Sequence, residues 1–324
     1  MHARRRLTAL ALLALLAVAG IYVGVGVGSP EQGDTPVTGS PAAAHGGARQ
    51  LHPRQTAPAH AANVPRLVVK THVPTGGWSP VAWVRGAPAA WLTQRSGVTL
   101  MRFDQSLVHL TLHAGSSDGG TLGWTYGDRI TPREIHLLVA AFNGGFKLTY
   151  PDVGFVSGGH VAVALKPGLA SIVTYRDGRT NIGAWDAGVP SVHGEVFSVL
   201  QNQHLLVDRG VAAASVSGCI LQCWGATVGN RLTVARSGLG ITASGQLVWA
   251  AGGQLQPADL ASALIAAGAV RAIELDINQD WVAGYLYPHS HSGPTPVPVM
   301  PGQLGIAGQL LEPYSRDFLA VVAN

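Results

Sequence analysis

Two carboxylates and an amide alternate with apolar residues in the stretch from Ala269 to Trp281. Read with a period of two, Ile273, Leu275 and Ile277 point one way, while Glu274, Asp276 and Asn278 point the other. The preceding run, Pro257 to Ala267, reads as the clearest helix of the chain. Pro257 and Asp259 lie in its first turn, Leu260, Leu264 and Ile265 form a stripe, and Gly268 stops it. A helix delivered onto this strand makes the strand central, and carboxylates at a sheet's core need partners or a task. Glu274 and Asp276, two apart on a strand, stand about 6.6 to 7 Å from each other at Cα. Glu274, Asp276 and Asn278 also offer hard oxygen ligands to a divalent cation, although they fall short of the full set a calcium cage needs.

Two other stretches carry polar groups of interest. A buried strand, Leu137 to Phe142, runs into Asn143-Gly144-Gly145-Phe146-Lys147. Paired glycines there permit positive φ and let a ligand approach the backbone, though Asn-Gly is equally the best hairpin turn. Arg236 lies inside the first arm of a hairpin, Val234 to Thr242 and Gln246 to Ala250, where an arginine is usually a paired structural residue. His109 and His113 fall on one strand about 13 Å apart, too far to chelate one ion. His289 and His291 stand in a proline-rich loop after Tyr285, and His45, His52 and His60 in a low-complexity segment.

The elements around these residues are short. Leu67 to Val73, Val81 to Val84, Val98 to Phe103 and Leu107 to His113 read as strands. A brief helix starts at Thr131-Pro132, and a meander runs from Val161 to Trp185 with turns at Lys166-Pro167-Gly168 and Arg176-Asp177-Gly178. Phe197 to Val207 is ambiguous between helix and strand until Asp208-Arg209-Gly210 ends it. Phe318 to Val322 reads as an edge strand. With 42 glycines and 12% charged residues in 324, the expected class is α+β: a mixed, mainly antiparallel sheet with a few covering helices.

Arg4 to Arg6 precede an uncharged run from Leu7 to Gly28, about 33 Å long as a helix and able to cross a bilayer. The charge asymmetry puts the rest of the chain outside the cell. Leu10 to Ala19 alone would serve as the core of a cleaved signal peptide, so the chain is expected to be a single-pass membrane protein with an extracellular body, or secreted. The expected organisation is an anchor at 1–28, a disordered Pro/Ala/Gly linker at 29–64 and one domain at 65–324. The pI of about 9.3 comes with a net charge of only +4. Basic residues are scattered singly after Arg6, so no stripe follows phosphates and nucleic acid is not an expected partner. Cys219 and Cys223, the two cysteines, suit an oxidised pair that pins a local turn, with a metal site as the sharper alternative.

Three stretches taken together resemble the phosphodiester glycosidase family, in the form its domain takes in exported actinobacterial proteins. Asn143-Gly144-Gly145-Phe146-Lys147 is similar to the family's Asn-Gly-Gly-Phe-Phe. Arg236-Ser237-Gly238-Leu239-Gly240 is similar to its Arg-Thr-Ala-Ile-Gly. Glu274-Leu275-Asp276-Ile277-Asn278-Gln279-Asp280 stands against its Asn-Leu-Asp-Gly-Gly-Gly-Ser, with the glycine triplet lost and only the acid kept. The resemblance implies an enzyme that cleaves a sugar-1-phosphodiester in envelope glycans. Asp276 and Glu274 would be catalytic and Arg236 would clamp the phosphate. Asn143 and the amides of Gly144 and Gly145 would hold substrate oxygens, Lys147 would add charge, and Asn278 and Asp208 would assist. The lost glycines keep a second reading open, a non-catalytic glycan-binding module on the same fold.

Overall fold

The alternating and all-apolar runs pair into three large sheets. A computed structural model describes residues 65–120, 122–305, 308 and 310–324. The expected anchor and linker over 1–64 lie outside the described residues, and no helix among the described residues is long and apolar enough to cross a membrane. The expected α+β class is corrected to mainly β: 43% of the described residues lie in strands and 8% in helices. The strand ladders are antiparallel throughout rather than mixed. The helix start at Thr131 goes no further than turns: Thr131 and Glu134 make the reciprocal bonds of a helix start, but the chain enters the buried strand Leu138–Asn143 four residues later.

The first sheet has nine strands, in the order Leu67–Val69, Ser79–Val84, Ala87–Arg95, Val98–Phe103, Leu247–Leu255, Val234–Thr242, Ala269–Glu274, Leu205–Asp208 and Val211–Ala212. A second runs Thr180–Ala184, Ala170–Tyr175, Val196–Asn202, Val153–Ser157 and His160–Val163. The third runs Val297–Pro298, Gly284–Leu286, Leu138–Asn143, Phe318–Ala323 and Val108–His113. Phe318–Ala323 is therefore a central strand and not an edge, as its six buried residues require. Phe197 to Val207 resolves into parts of two strands, with Gln203 at positive φ in the turn between them.

The main core lies where the three sheets face each other, with Phe142 stacked between Phe103 and Trp249. On the other face of the nine-stranded sheet lies the helix Pro257–Ala266, which buries Leu260, Ala261 and Leu264. Asp259 Oδ2 accepts from the Gln256 amide and closes the helix start. Strand alternation sends Arg236, Gly238 and Gly240 toward this helix and Ser237, Leu239 and Ile241 toward the main core. A Cβ on Gly238 would come within 3.3 Å of both Leu260 and Leu264, so the glycine lets the helix sit close.

Candidate functional site

The site is built where strand ends from all three sheets meet. Leu138–Asn143 is buried at every position and ends on Asn143. Asn143 Nδ2 donates to Ser237 Oγ at 2.8 Å and to the Gly144 carbonyl at 2.9 Å. Ser237 Oγ in turn donates to the Asp276 carbonyl at 3.2 Å, and the Ser237 amide donates to the same oxygen at 3.1 Å. Asn202, the last residue of its strand, donates to the carbonyls of Glu274 and Leu275 at 2.8 and 3.0 Å. Each such bond contributes about 1 kcal/mol, and leaving any buried partner unmet costs more. Asn143, Gly144, Gly145, Ser237 and Asp276 are thus brought together.

The expected strand across 269–281 ends at Glu274. Backbone bonds to Ser237 continue as far as the Asp276 carbonyl, and the chain then turns at Asp276, whose Oδ1 accepts from the amides of Ile277 at 2.7 Å and Asn278 at 2.9 Å. Oδ2 faces Arg316 Nη2 at 3.2 Å. The same guanidinium donates to the Gly145 carbonyl at 2.7 Å, pairs through Nε with Asp118 at 2.7 Å, and lies over the Trp281 ring at 5.5 Å. Asp317 completes the cluster. Its Oδ2 accepts from the Gly145 amide at 2.9 Å, its carbonyl from the Gly144 amide at 3.0 Å, and its Oδ1 lies 3.7 Å from Arg316.

One guanidinium among three carboxylates leaves the cluster short of positive charge. Burial pushes the Asp276 carboxyl up to about 6, against Arg316 and the two amides, and the charge of Asp118 adds to the rise. Burial likewise raises Asp317 to about 7, with Arg316 opposing and Asp118 adding. A carboxyl poised near 6 is ionised at neutral pH, yet its oxygens keep only a thin solvent edge, the side chain being 8% exposed. Such a group can act as nucleophile or base.

The remaining expected site residues are placed elsewhere or are otherwise engaged. Arg236, expected to clamp a phosphate, is 0% exposed and faces the helix side of its sheet. Its Nη1 donates to Glu274 Oε1 at 2.8 Å and to the Trp224 carbonyl at 2.9 Å, and its Nε to the Leu255 carbonyl at 3.0 Å. Glu274, expected to assist Asp276, is 0% exposed and spent on this pair, with burial pushing its carboxyl up to about 7. A period of two places Glu274 and Asp276 on one face. The early end of the strand gives them separate partners.

Gly144 and Gly145 take no positive φ, and their amides are held by Asp317 rather than open to a substrate. The Asn278 side chain accepts from the Asp280 amide in an exposed turn. Lys147 is exposed, and Asp208 pairs in register with Arg271, at the opposite end of Ala269–Glu274 from the site. Glu274, Asp276 and Asn278 do not converge as a cation site, and no cluster of His, Cys, Asp and Glu suited to a metal occurs among the described residues. Cys219 and Cys223 form a disulfide. It pins the turn before Trp224 and Gly225, and a Cβ on Gly225 would strike Ile277 and Phe146.

Sequence reasoning missed Arg316, Asp317, Asp118, Asn202 and Ser237. A signal for the first two exists, since Arg316-Asp317 stands immediately before an all-apolar strand that has to be central. Charges at the mouth of such a strand are placed at a sheet end, where clefts form.

No family model matches the chain, and no curated protein does. Among solved structures, the catalytic domain of zebrafish N-acetylglucosamine-1-phosphodiester alpha-N-acetylglucosaminidase, auto-inhibited by its pro-peptide, is similar at 13% identity and a TM-score of 0.45. That likeness covers 80% of this chain and 88% of that one. A hypothetical protein from Synechocystis is similar at 12% identity and a TM-score of 0.37, over 81% of this chain and 68% of that one. These are distant likenesses of fold, and the roles of the site residues rest on the contacts given above.

Proposed function

We propose that the chain is a hydrolase that cleaves a sugar-1-phosphodiester at the anomeric carbon, with Asp276 as nucleophile. The observation that supports it is the set of bonds on Asp276. Two amides fix Oδ1, while Oδ2 faces an arginine at a thin solvent edge, where the three stretches that resemble the phosphodiester glycosidases meet. A phosphate monoester leaves with little need of protonation, so the tasks are a nucleophile, a stabilised oxocarbenium-like centre and charge for the departing group. Asp276 Oδ2 bonds to the anomeric carbon as the bond from that carbon to the phosphate oxygen breaks, and the electron pair leaves with the phosphate. Arg316, whose Nη2 faces Oδ2, sets its positive charge beside the departing phosphate, in the role the sequence pointed to for Arg236. An exported chain meets such esters in envelope glycans, which we take as the substrate class.

The full-length chain is assayed on methyl diesters of α-glucose, α-mannose and N-acetyl-α-glucosamine 1-phosphate. Release of free sugar by wild type and its loss in Asp276→Asn, at a melting temperature no lower than that of wild type, is the expected result. Asn keeps an oxygen for the two amides, so the fold is retained. No turnover on any diester would sink the hydrolase reading. The binding-module reading has one observation in its favour, the amides of Gly144 and Gly145 held by Asp317. Glycan binding that survives in Asp276→Asn, without hydrolysis by wild type, selects it.

A further inference from the structure

We infer that Asp118 is the second carboxylate of this site, the base that takes a proton from the water releasing the sugar from Asp276. The inference rests on the hydrolase reading and fills the place that Glu274 leaves open. Asp118 Oδ2 lies 2.7 Å from Arg316 Nε, and Asp276 Oδ2 lies 3.2 Å from Nη2 of the same side chain. Retaining glycosidases hold their two carboxyls about 5 Å apart. Facing neighbouring nitrogens of one guanidinium brings Asp118 and Asp276 side by side, as a carboxylate pair serving one sugar has to be. The Asp118 and Asp276 side chains are 9% and 8% exposed.

The loop that carries Asp118 is built to hold it there. The amides of Ser116, Ser117 and Asp118 donate to the carbonyls of Tyr314, Ser315 and Ser315, at 2.9, 2.9 and 3.3 Å. Gly115 has φ +69°, and a Cβ on it would land on the Arg316 backbone. Behind Asp118, Trp124 Nε1 donates to the Gly119 carbonyl at 2.9 Å, and a Cβ on Gly119 would press on Ala114 and Trp124. A surface loop without a task needs no such fixation on both sides. Asp317 Oδ1 lies 3.7 Å from the same guanidinium, and it, Asp118 Oδ2 and Arg316 Nε are buried without a hydrogen bond, so the cluster keeps both acceptor and donor capacity unfilled.

Water's oxygen bonds to the anomeric carbon, the bond from that carbon to Asp276 Oδ2 breaks, and the electron pair returns to the Asp276 carboxylate. The water proton passes to Asp118, which later yields it to solvent. Arg316 stays bound to both acids, countering the charge that moves between them.

The test uses the full-length wild type, Asp118→Ala and Asp118→Asn on whichever methyl diester wild type hydrolyses best. Asp118→Ala is expected to lower kcat by about 10²- to 10⁴-fold and to lower KM. A sugar adduct on Asp276 should then accumulate and show in the intact-protein mass. Azide, which attacks without a base, should restore the rate and yield the glycosyl azide. A loss of rate with neither adduct nor azide response marks a structural role and overturns the inference, as does an unchanged rate. A second readout needs no turnover: the Asp276 carboxyl, followed by carbon NMR, should titrate at lower pH in Asp118→Asn, and an unmoved midpoint overturns the inference. Failure of the hydrolase reading is distinct, since wild type is then silent on every diester.

Discussion

The Asp317 carboxylate occupies the space where a side chain on Gly144 would have to go. A Cβ on Gly144 would collide with Asp317 Oδ2 and Cγ and come within 2.8 Å of the Asp317 carbonyl. At Gly145 the nearest atom is Leu200 Cδ1 at 3.5 Å, an ordinary contact. Gly144→Ala is expected to cost about 2–3 kcal/mol or more, as overpacking does, and to disturb Asp317 and Arg316. Gly145→Ala should stay within about 1 kcal/mol. Denaturant melts of the two variants check the pair, and equal costs would contradict the geometry.

Arg236 and Glu274 form a buried pair whose members differ in what they lose. Burial favours the neutral form of Glu274, so Glu274→Gln imitates a state the fold already prefers and keeps an oxygen for Arg236 Nη1. Its expected cost is about 1 kcal/mol or less. Arg236→Ala opens a cavity, leaves the carbonyls of Trp224 and Leu255 without their donor, and strips Glu274 of its partner, for about 3–5 kcal/mol. Thermal melts rank the two, and a Glu274→Gln cost equal to that of Arg236→Ala would remove the argument.

The disulfide encloses a short loop and in the chain-entropy model contributes about 2 kcal/mol. Its larger effect is local, because Trp224, next to Cys223, accepts from Arg236. The double change Cys219→Ala with Cys223→Ala is expected to lower the melting temperature by about 4–8 °C. It should combine non-additively with Arg236→Ala, since both act on Trp224. Strict additivity in the double-mutant cycle would show that the turn and the pair are independent.

Period and turn chemistry made much of the fold legible: the helix at Pro257, the hairpin around Ser244-Gly245 and the buried strand ending at Asn143 all stand where patterning puts them. Strands such as Ala87–Arg95 were not legible, because alanine and proline carry no period-two signal. Of the candidate site, the placing of Asn143 and Asp276 at strand ends that meet was readable. Arg316 and Asp118 were not, since Arg316 meets Asp276 across forty residues and Asp118 meets Arg316 across one hundred and ninety-eight, and neither contact leaves a local mark. Arg236 misled because arginine chemistry suits a phosphate equally well whichever face of the sheet it lies on, and only the register with Glu274 and the packing of Leu260 decide the face.

The pH dependence of stability should run opposite to that of activity. Asp276, Asp317 and Glu274 have carboxyls raised to about 6, 7 and 7, so between about pH 4 and 7 the folded chain holds more protons than the unfolded one. Stability from these groups is full below about pH 4 and is lost as pH rises through 6 to 7. Glu134 opposes this at the acid end. Burial works against its charge, but His113, Thr111 and Thr131 outweigh that and hold it down to about 2, so its contribution is lost as pH falls below about 4. Melting temperature should therefore peak near pH 4 to 5 and decline toward pH 8. Catalysis by Asp276 needs the ionised form, so kcat/KM should climb through about pH 6 while stability falls. Asp317→Asn imitates the protonated acid, and is expected to raise the melting temperature at pH 8 and flatten the decline. Melts from pH 4 to 8 on wild type and this variant decide it, and a wild type that is most stable at pH 8 would show that Arg316 and Arg236 outweigh burial at all three acids.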